Sequence, residues 1–376
     1  GSEMCIRDSL WSADFNHQEK EFRNMSQPIK WADNFDICLI PSSGYKRNIG
    51  FARLIDHALL GMNLKKRLRL ESKVPDVAFI GYPPIETAYI FSKWLTNRGV
   101  PYLLDVKDQW PVIFVETLPS LLQPLGQLIF WPYFRIARKT MQAATGLSAM
   151  ADGFLSWALG FCGKTRGIND CVFPLTTPTG QLGITDQQVA SEWWDENGVR
   201  ADEVNRIYFV GSFSAAFDFL PVKDAAQQAM SRGDNVQFVL CGGGGIVEDV
   251  KEMMSGLENV IFPGWVDRSK IEELSRRCIA SIAPYRNSPD FMLSIPNKIV
   301  DSLALGLPIL SPLKGEVESL IDAHDVGLMY DSNAGTGKGS LYHALTTIIG
   351  NEKLRSSMSA NARELYNARF SFDQVY

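Results

Sequence analysis

Short apolar segments alternate with helical patterns along most of this chain of 376 residues, and this rhythm limits the possible folds more than any other feature. In the first half, strands are predicted at FDICLIP (35–41), DVAFIGYPP (76–84) and PYLLDVKD (101–108). Residues 86–98 have the pattern of a crossover helix between the last two. Strands that alternate with helices are typical of parallel α/β architecture.

The same rhythm is clearer after residue 205. Strands are predicted at RIYFVG (206–211), VQFVLCG (236–242), NVIFPG (259–264), IASIAPY (279–285), LPILS (307–311) and VGLMY (326–330). Helices are predicted between and after them, at 221–231, 247–255, 268–277, 296–305, 315–322 and 338–367. Repeated units of this kind predict a doubly wound sheet, whose ligand sites lie at the carboxyl ends of the strands.

The length of the chain exceeds what one hydrophobic core usually organises, so we expect two domains. We place the first at residues 10–175 and the second at 206–376, joined by a connection at 176–205 that lacks a sustained period of either kind. The opening GSEMCIRDS (1–9) has no apolar core of signal-peptide length, and we interpret it as a non-native leader that is excluded from the fold.

Composition excludes several classes of protein. Hydrophobic residues make up 45%, charged residues 21%, and the net charge is -5, as in an ordinary globular protein and unlike a general nucleic-acid binder. Six cysteines without a C-x-x-C pair disfavour a zinc or disulfide framework and fit a reducing cytoplasm. Four histidines show no metal or catalytic-triad spacing, so we expect ordinary packing or surface roles for them.

The most informative stretch is SIPNKIVDSLALGLPILSP, where Pro296 suits the first turn of a helix. Backbone amides at that turn, with the side chains of Asn297 and Lys298, would form an anion site suited to a diphosphate. Asp301 lies one turn further on, where a carboxylate can accept hydrogen bonds from ribose hydroxyls. The ordinary alternative is a capped helix with a solvated lysine and aspartate.

The pattern P-N-K-x-x-D-x-x-A-x-G-x-P-I-L, followed by Gly315-Glu316 and later Gly327, resembles the donor-binding region of retaining glycosyltransferases of family 4. Three other segments match that family in order: PYLLDVKDQWP (101–111), YFVGSFS (208–214) and FPGWVDRSKIEEL (262–274). The resemblance implies the GT-B fold, with two Rossmann-like domains facing a central cleft. We expect this chain to start after the family's opening strand and glycine-rich loop.

The resemblance also implies roles for individual residues. Lys298, with the amides of 294–297 and Asn297, would bind the diphosphate, and Asp301 would bind the ribose. On the same lobe, Gly211 and Ser212 belong to the glycine loop of the nucleotide-binding strand.

The resemblance places Trp265 and Val266 at the edge of the base. From the opposite lobe, Lys107 and Asp108 would line the sugar side of the cleft.

Two departures from the family pattern affect this site. The family's second acid lies eight positions before Asp301, where this chain has Leu293, and Asp290 would substitute for it only through a loop insertion. The basic pair that often follows the F-V-G strand is also absent, and Ser212, Ser214 and Asp218 occupy that region.

The glycine run from Cys241 to Gly245, which includes Gly243, does not fit a dinucleotide fingerprint, because Val247 stands where the third glycine belongs. Close approach of the backbone to a bound nucleotide explains the run, and so does a flexible turn.

Two segments of the first half combine basic and apolar residues, at 45–70 and at LPSLLQPLGQLIFWPYFRIARK (118–139). They would dock the first lobe on an anionic membrane leaflet. The alternative is that they form core helices with solvated basic faces.

Together these observations predict a retaining glycosyltransferase that moves a sugar from a nucleotide-sugar donor to a glycan or lipid-linked acceptor, in cell-surface polysaccharide biosynthesis. No metal or further cofactor is required, and no nucleic-acid partner is expected. We expect a cytoplasmic protein, with a peripheral position on the inner face of the membrane as an open alternative. Two alternatives remain open: a nucleotide-sugar 2-epimerase of the same fold, and a non-catalytic sugar-binding or scaffold relative.

Overall fold

The computed structural model describes residues 8–17, 19–23, 29–32, 34–46, 50–178 and 183–375. These residues form two compact units. The first reaches to Ala149 and includes Phe154–Val172, and the second comprises Met150–Gly153 and the chain from Phe173 onward.

The first unit is built on parallel strands with helices between them. Its strands are β1 (Asp8–Ala13), β2 (Phe15–Asn16), β3 (Glu21–Phe22), β4 (Ile29–Ala32), β5 (Phe35–Ile40), β6 (Ala78–Tyr82), β7 (Tyr102–Val106), β8 (Gly146–Ala149) and β9 (Cys171–Val172). Its helices are α1 (Phe51–Leu70), α2 (Ile85–Thr96), α3 (Val112–Glu116), α4 (Gln123–Ile129), α5 (Trp131–Ala143) and α6 (Asp152–Cys162), with a 3-10 turn at Ser120–Leu122. One sheet has the order β6-β7-β8-β9 and is parallel throughout.

A second sheet of this unit includes the last two residues of the predicted leader. Its order is β1-β5-β4, and β1 pairs in parallel with β5, Asp8 opposite Phe35 and Leu10 opposite Ile37. The sequence predicts that residues 1–9 lie outside the fold, yet Asp8 and Ser9 begin the strand β1. Residues 1–7 lie outside the described residues. Backbone pairing along an edge needs no apolar run, so the strand carried no hydrophobic signal.

The two basic segments of the first half fold differently. Helix α1 buries Leu60, Leu64 and Leu68 in a small core, as expected of a core helix with a solvated basic face. Arg47 of that segment lies outside the described residues. In contrast, α4 exposes most of its apolar residues. Within the described ranges, no helix is both long and apolar enough to cross a bilayer.

The second unit contains a six-stranded parallel sheet. Its strands are β10 (Asn205–Val210), β11 (Val236–Cys241), β12 (Val260–Gly264), β13 (Ala280–Ile282), β14 (Ile309–Ser311) and β15 (Gly327–Met329), in the order β12-β11-β10-β13-β14-β15. Its helices are α7 (Ile184–Glu196), α8 (Leu220–Arg232), α9 (Val247–Met253), α10 (Arg268–Arg276), α11 (Pro289–Met292), α12 (Asn297–Leu305), α13 (Glu316–His324), α14 (Leu341–Gly350), α15 (Glu352–Leu365) and α16 (Phe372–Val375), with a π-helical turn at Tyr366–Phe370. The strand order reverses between β10 and β13, which is where such sheets bind their ligands.

The helix predicted at 338–367 is two helices. The break falls at Asn351, whose side chain accepts a hydrogen bond from the amide of Leu354 and so caps α15. Both helices have buried apolar faces, α14 with Leu345 and Ile348 and α15 with residues that include Ala362.

The segment predicted to connect the domains contains a packed helix. Trp194 of α7 is fully buried, and its indole donates to the carbonyl of Lys270 at 2.8 Å. Arg277, which follows α10, donates to Asp195 at 2.6 Å and to the Ser191 hydroxyl at 2.6 Å. The guanidinium also bonds Glu273 at 2.9 Å, so one buried cation ties α7 to α10.

We expect Arg277→Ala to loosen α7, because the substitution leaves carboxylates without their buried partner, at a cost of about 3 kcal/mol. Backbone hydrogen exchange in residues 184–196 should accelerate about 100-fold, since every 1.4 kcal/mol is tenfold. Arg276→Ala is the matched control, because the Arg276 side chain is 50% exposed. Equal exchange in both variants would contradict this account of α7.

Candidate functional site

A cleft of about 250 Å³ lies at the carboxyl ends of β10, β11 and β12 in the second unit. Its walls are Val210, Gly211, Ser212, Gly242, Gly243, Trp265 and Val266. The structure therefore brings together five residues that the sequence analysis placed around the nucleotide: Gly211, Ser212, Gly243, Trp265 and Val266. The Trp265 side chain is 77% exposed, so its ring is accessible for stacking.

Glycines form these walls because neighbouring backbones approach one another closely. The amide of Gly211 donates to Cys241 at 3.0 Å, and that of Gly242 donates to Gly264 at 2.7 Å. A Cβ atom at Gly242 would collide with the Gly211 carbonyl, and the φ of Gly242 is +127°. The close approach that requires Gly242 and Gly244 is thus to the adjoining loop of the protein itself, which is a third explanation besides a bound nucleotide and a flexible turn.

Lys298 reaches this region from the first turn of α12. Its Nζ donates to the carbonyl of Val210, the last residue of β10, at 2.5 Å. The ammonium also lies 4.9 Å from the ring centroid of Phe209 and 5.3 Å from that of Phe217. It occupies the space that a side chain at Gly211 would fill.

Burial lowers the pKa of Lys298 to about 8, against the opposing effect of the Asp301 carboxylate. The lysine is therefore mainly protonated at pH 7, and its proton is held less firmly than on an exposed amine. A dianionic ligand at the cleft would restore the stability of the charged form.

Asp301 follows Lys298 by one turn and is half-buried. Burial raises the pKa of its carboxyl, which a hydrogen bond from the Thr177 side chain and the charge of Lys298 both oppose. Asn297 is exposed at the start of α12, and the N-cap residue, Pro296, makes no side-chain cap hydrogen bond. The first-turn amides of this helix therefore have no side-chain acceptor at the cap.

Sequence reasoning missed Arg286, which follows the strand β13. Its amide donates to Ala216 at 2.9 Å, and its Nη1 lies 3.3 Å from Oδ2 of Asp218. A cation is thus present at the 212–218 loop, where the basic pair of the family is absent. Its position just after a strand next to the reversal of strand order was the available signal.

The position of the missing acid, Leu293, ends α11, and Asp290 lies in that short helix. Across from it, Glu316 begins α13. A Cβ atom at Gly153 would lie 2.8 Å from Oε1 of Glu316 and 3.0 Å from the Leu293 carbonyl, so both residues flank the same glycine. Glu316 therefore places a carboxylate near the position where the sequence lacks one.

Lys107 and Asp108 lie in the first unit, directly after β7. The Nζ of Lys107 is 3.2 Å from Oδ2 of the buried Asp105, and its amide donates to Tyr82 at 2.9 Å. Asp108 accepts a 2.8 Å hydrogen bond from the amide of Gln109. These contacts hold both residues at the carboxyl end of the strand.

A cluster of aromatic and titratable side chains surrounds the buried Trp110. The guanidinium of Arg53 lies 4.8 Å from its ring centroid, and the His57 ring lies 5.4 Å away. His57 is buried, and burial lowers its pKa to about 4, so the imidazole is neutral at pH 7. A packing role is what the lack of a metal or catalytic-triad spacing predicts for this histidine, and its burial agrees with that.

Comparison with solved structures identifies the fold. Sucrose-phosphate synthase from Thermosynechococcus elongatus is 13% identical with a TM-score of 0.62, covering 98% of this chain and 86% of that chain. Anabaena HepE in complex with UDP is 13% identical with a TM-score of 0.64, and the match covers 98% of this chain and 97% of that chain. WaaG, a glycosyltransferase involved in lipopolysaccharide biosynthesis, is 13% identical with a TM-score of 0.63, covering 98% and 97%. The chain has the GT-B fold, as predicted.

The family is identified by the second unit. Residues 204–350 match the family described as Glycosyl transferases group 1, and this range includes the cleft, Lys298 and Asp301. The second unit therefore contains a glycosyltransferase group 1 domain. No curated protein sequence matches it significantly.

We expect Gly211→Ala to weaken the binding of a nucleoside diphosphate by about tenfold, because the new methyl group displaces the ammonium of Lys298 and a charge-assisted contact is lost. Titration calorimetry with UDP, GDP, ADP and TDP measures the effect. Gly245→Ala is the control, since a Cβ atom there meets nothing within 4 Å.

In a Lys298→Ala background, Gly211→Ala should weaken nucleotide binding less than about twofold, because both changes remove the same contact. Additive losses would mean that Gly211 acts by another route.

The pKa of Lys298 predicts a pH dependence for the same binding. Well below pH 8 the free lysine already carries its proton, so the affinity for the nucleotide should not change with pH. Above pH 8 binding must take up a proton, and the affinity should fall by about tenfold up to pH 9.5. Lys298→Met should bind more weakly and show no such fall over pH 7 to 9.5. The same fall in Lys298→Met would assign the titration to another group.

Proposed function

We propose that this protein is a retaining glycosyltransferase that moves a sugar from a nucleoside-diphosphate sugar onto a glycan or lipid-linked acceptor in the synthesis of cell-surface polysaccharide. The observation that carries the proposal is the position of Lys298. Its ammonium, set on the first turn of α12, bonds the end of β10 beside Gly211 in the glycine-walled cleft.

The cleft has the parts that a nucleoside diphosphate needs. Trp265 offers an exposed ring for the base, and the glycine walls let a ligand approach the backbone. Lys298 and the open amides at the start of α12 would meet the diphosphate, and Asp301 would bind the ribose.

Uridine diphosphate is the first nucleotide to test. HepE, whose fold this chain shares, was solved with UDP, with UDP and glucose, and with UDP-glucose. WaaG, which also shares the fold, acts in lipopolysaccharide biosynthesis, which supports a surface glycan as the product. The base, sugar and acceptor are proposals for this chain.

In the proposed reaction the bond from the sugar to the diphosphate breaks while the acceptor hydroxyl attacks the same face of the sugar and gives its proton to the departing diphosphate. The departing diphosphate gains negative charge, and a preorganised cation at the cleft stabilises that charge most at the transition state. Lys298 is suited to this role because nearby aromatic rings and burial keep water away from it.

Two further residues would complete the site. Arg286, already at the 212–218 loop, would supply the second cation that the family pattern lacks. Glu316 would supply the acid that is missing at Leu293 and so orient the donor sugar.

Lys298→Ala should lower turnover at saturating donor by about 10²–10³-fold, by analogy with loss of one preorganised oxyanion donor. Affinity for the donor should fall less than turnover, since the transition state carries more charge than the bound donor. The measurement is release of the nucleoside diphosphate with UDP-glucose as donor, with the anomeric configuration of the product read by NMR.

Lys353→Ala, at an exposed position on α15, is the matched control and should keep full turnover. A Lys298→Ala enzyme with normal turnover, beside an inactive Arg286→Ala enzyme, would place the diphosphate at Arg286 instead. An inverted product would contradict the retaining proposal.

A further inference from the structure

The first unit carries a continuous set of exposed apolar side chains between α3 and α5. It begins in the 3-10 turn Ser120–Leu122, follows α4 and ends at the start of α5. Its members are Leu121, Leu122, Leu125, Leu128, Ile129 and Trp131, which we call the apolar ridge. Leu121 is 92% exposed and Leu128 is 72% exposed, so these residues do not belong to the core.

Helix α4 is attached to the unit by its smallest residue. Gly126 is the buried residue of this helix, and a Cβ atom there would lie 2.6 Å from the Leu118 side chain and 3.6 Å from that of Val115. Because α4 packs through a glycine, its leucines and Ile129 point away from the core. Contiguous apolar surface of this kind marks an interaction site.

The charges around the apolar ridge select the partner. From Thr117 to Ala151 the sequence contains no aspartate or glutamate, while Arg135, Arg138 and Lys139 follow the ridge and are exposed. The guanidinium of Arg135 lies 5.5 Å from the ring centroid of Trp131. An exposed acid, Glu116, ends α3 before this stretch.

Glu86 also approaches α5, but its carboxylate accepts a 2.8 Å hydrogen bond from Tyr133 and burial raises its pKa. Its other oxygen, Oε2, is buried, so this carboxylate is not presented on the surface.

We propose that the apolar ridge inserts into the interface of a bilayer that contains anionic phospholipid, with Arg135, Arg138 and Lys139 on the headgroups. A short helix with leucines on one side, a tryptophan at its end and basic residues beyond is suited to lie in the plane of a membrane surface. This inference is independent of the sugar-transfer reaction and concerns the surface on which the enzyme works.

The sequence predicts membrane docking through both basic segments, 45–70 and 118–139, and the structure shows how they differ. Helix α1 packs Leu60, Leu64 and Leu68 in the core and exposes Lys65, Lys66 and Arg69. Its exposed apolar residues, among them Phe51, Ile55 and Met62, lie on a helix whose central leucines pack in the core. The experiment therefore compares the two segments directly.

The test is co-sedimentation of the full chain with vesicles of phosphatidylcholine alone or with phosphatidylglycerol added. Replacing three ridge leucines, in Leu121→Ser, Leu125→Ser and Leu128→Ser together, should weaken binding about 100-fold or more, since each exposed leucine loses its insertion. The matched control is Ile168→Ser, Ile184→Ser and Val189→Ser, at positions 99%, 77% and 59% exposed. The control should bind as the unchanged protein does.

The charge arm uses Arg135→Gln, Arg138→Gln and Lys139→Gln together. This variant should bind anionic vesicles about 100-fold more weakly, because each basic residue near the surface contributes about 1 kcal/mol. The corresponding α1 variant, Lys65→Gln, Lys66→Gln and Arg69→Gln, should bind within about threefold of the unchanged protein. Vesicles of phosphatidylcholine alone should retain little protein.

Undiminished binding by the leucine variant, with its circular dichroism spectrum unchanged, would overturn the proposal. So would a dimer in sedimentation equilibrium that the leucine variant dissociates, because a second copy would then cover the ridge. A larger loss from the α1 variant than from the Arg135, Arg138 and Lys139 variant would assign membrane attraction to α1.

Discussion

The backbone contacts between the loops after β10, β11 and β12 are the constraint on which the site of the second unit depends. The amides of Gly211 and Gly242 bond carbonyls of the neighbouring strands, and a side chain at Gly242 would not fit. Because these loops lie so close, the ends of three strands form one wall of a cleft. The space beside Gly211 then receives the ammonium of Lys298, which no side chain at that position would permit.

The energetics of Lys298 follow from this packing. Burying an ammonium costs free energy unless it gains partners, and here the carbonyl of Val210, two aromatic rings and the charge of Asp301 compensate in part. The remaining cost appears as a lowered pKa. A cation that is poorly solvated interacts strongly with any anion that reaches it.

In the first unit, large apolar residues remain on the surface. Helix α1 and helix α4 both carry leucines near basic residues, but α1 packs through Leu60, Leu64 and Leu68, whereas α4 packs through Gly126. A glycine contact brings a helix close to its neighbour while contributing little apolar area of its own. The result is a helix that is fixed in place with its large side chains uncovered.

Several parts of this protein could be predicted from the sequence because their signals are local. Apolar runs bounded by turn residues identified β5, β6, β7 and the six strands from β10 onward, and Pro296 marked the start of α12. The cleft residues Gly211, Ser212, Trp265 and Val266 could be named from a resemblance of short motifs, since those motifs follow strands whose ends meet at one edge of a parallel sheet. Gly243 could be named from the glycine run in which it lies.

What the tertiary structure alone decided involves residues far apart in the chain. Arg277 fixes α7 through Ser191 and Asp195. Arg286 forms an ion pair with Asp218. Glu316 and Leu293 both lie next to Gly153. The composition of a segment shows that it is apolar or charged, but not which of its faces another segment covers. Burial, and with it the pKa of Lys298 and the exposure of the ridge on α4, depends on neighbours that only the folded chain brings together.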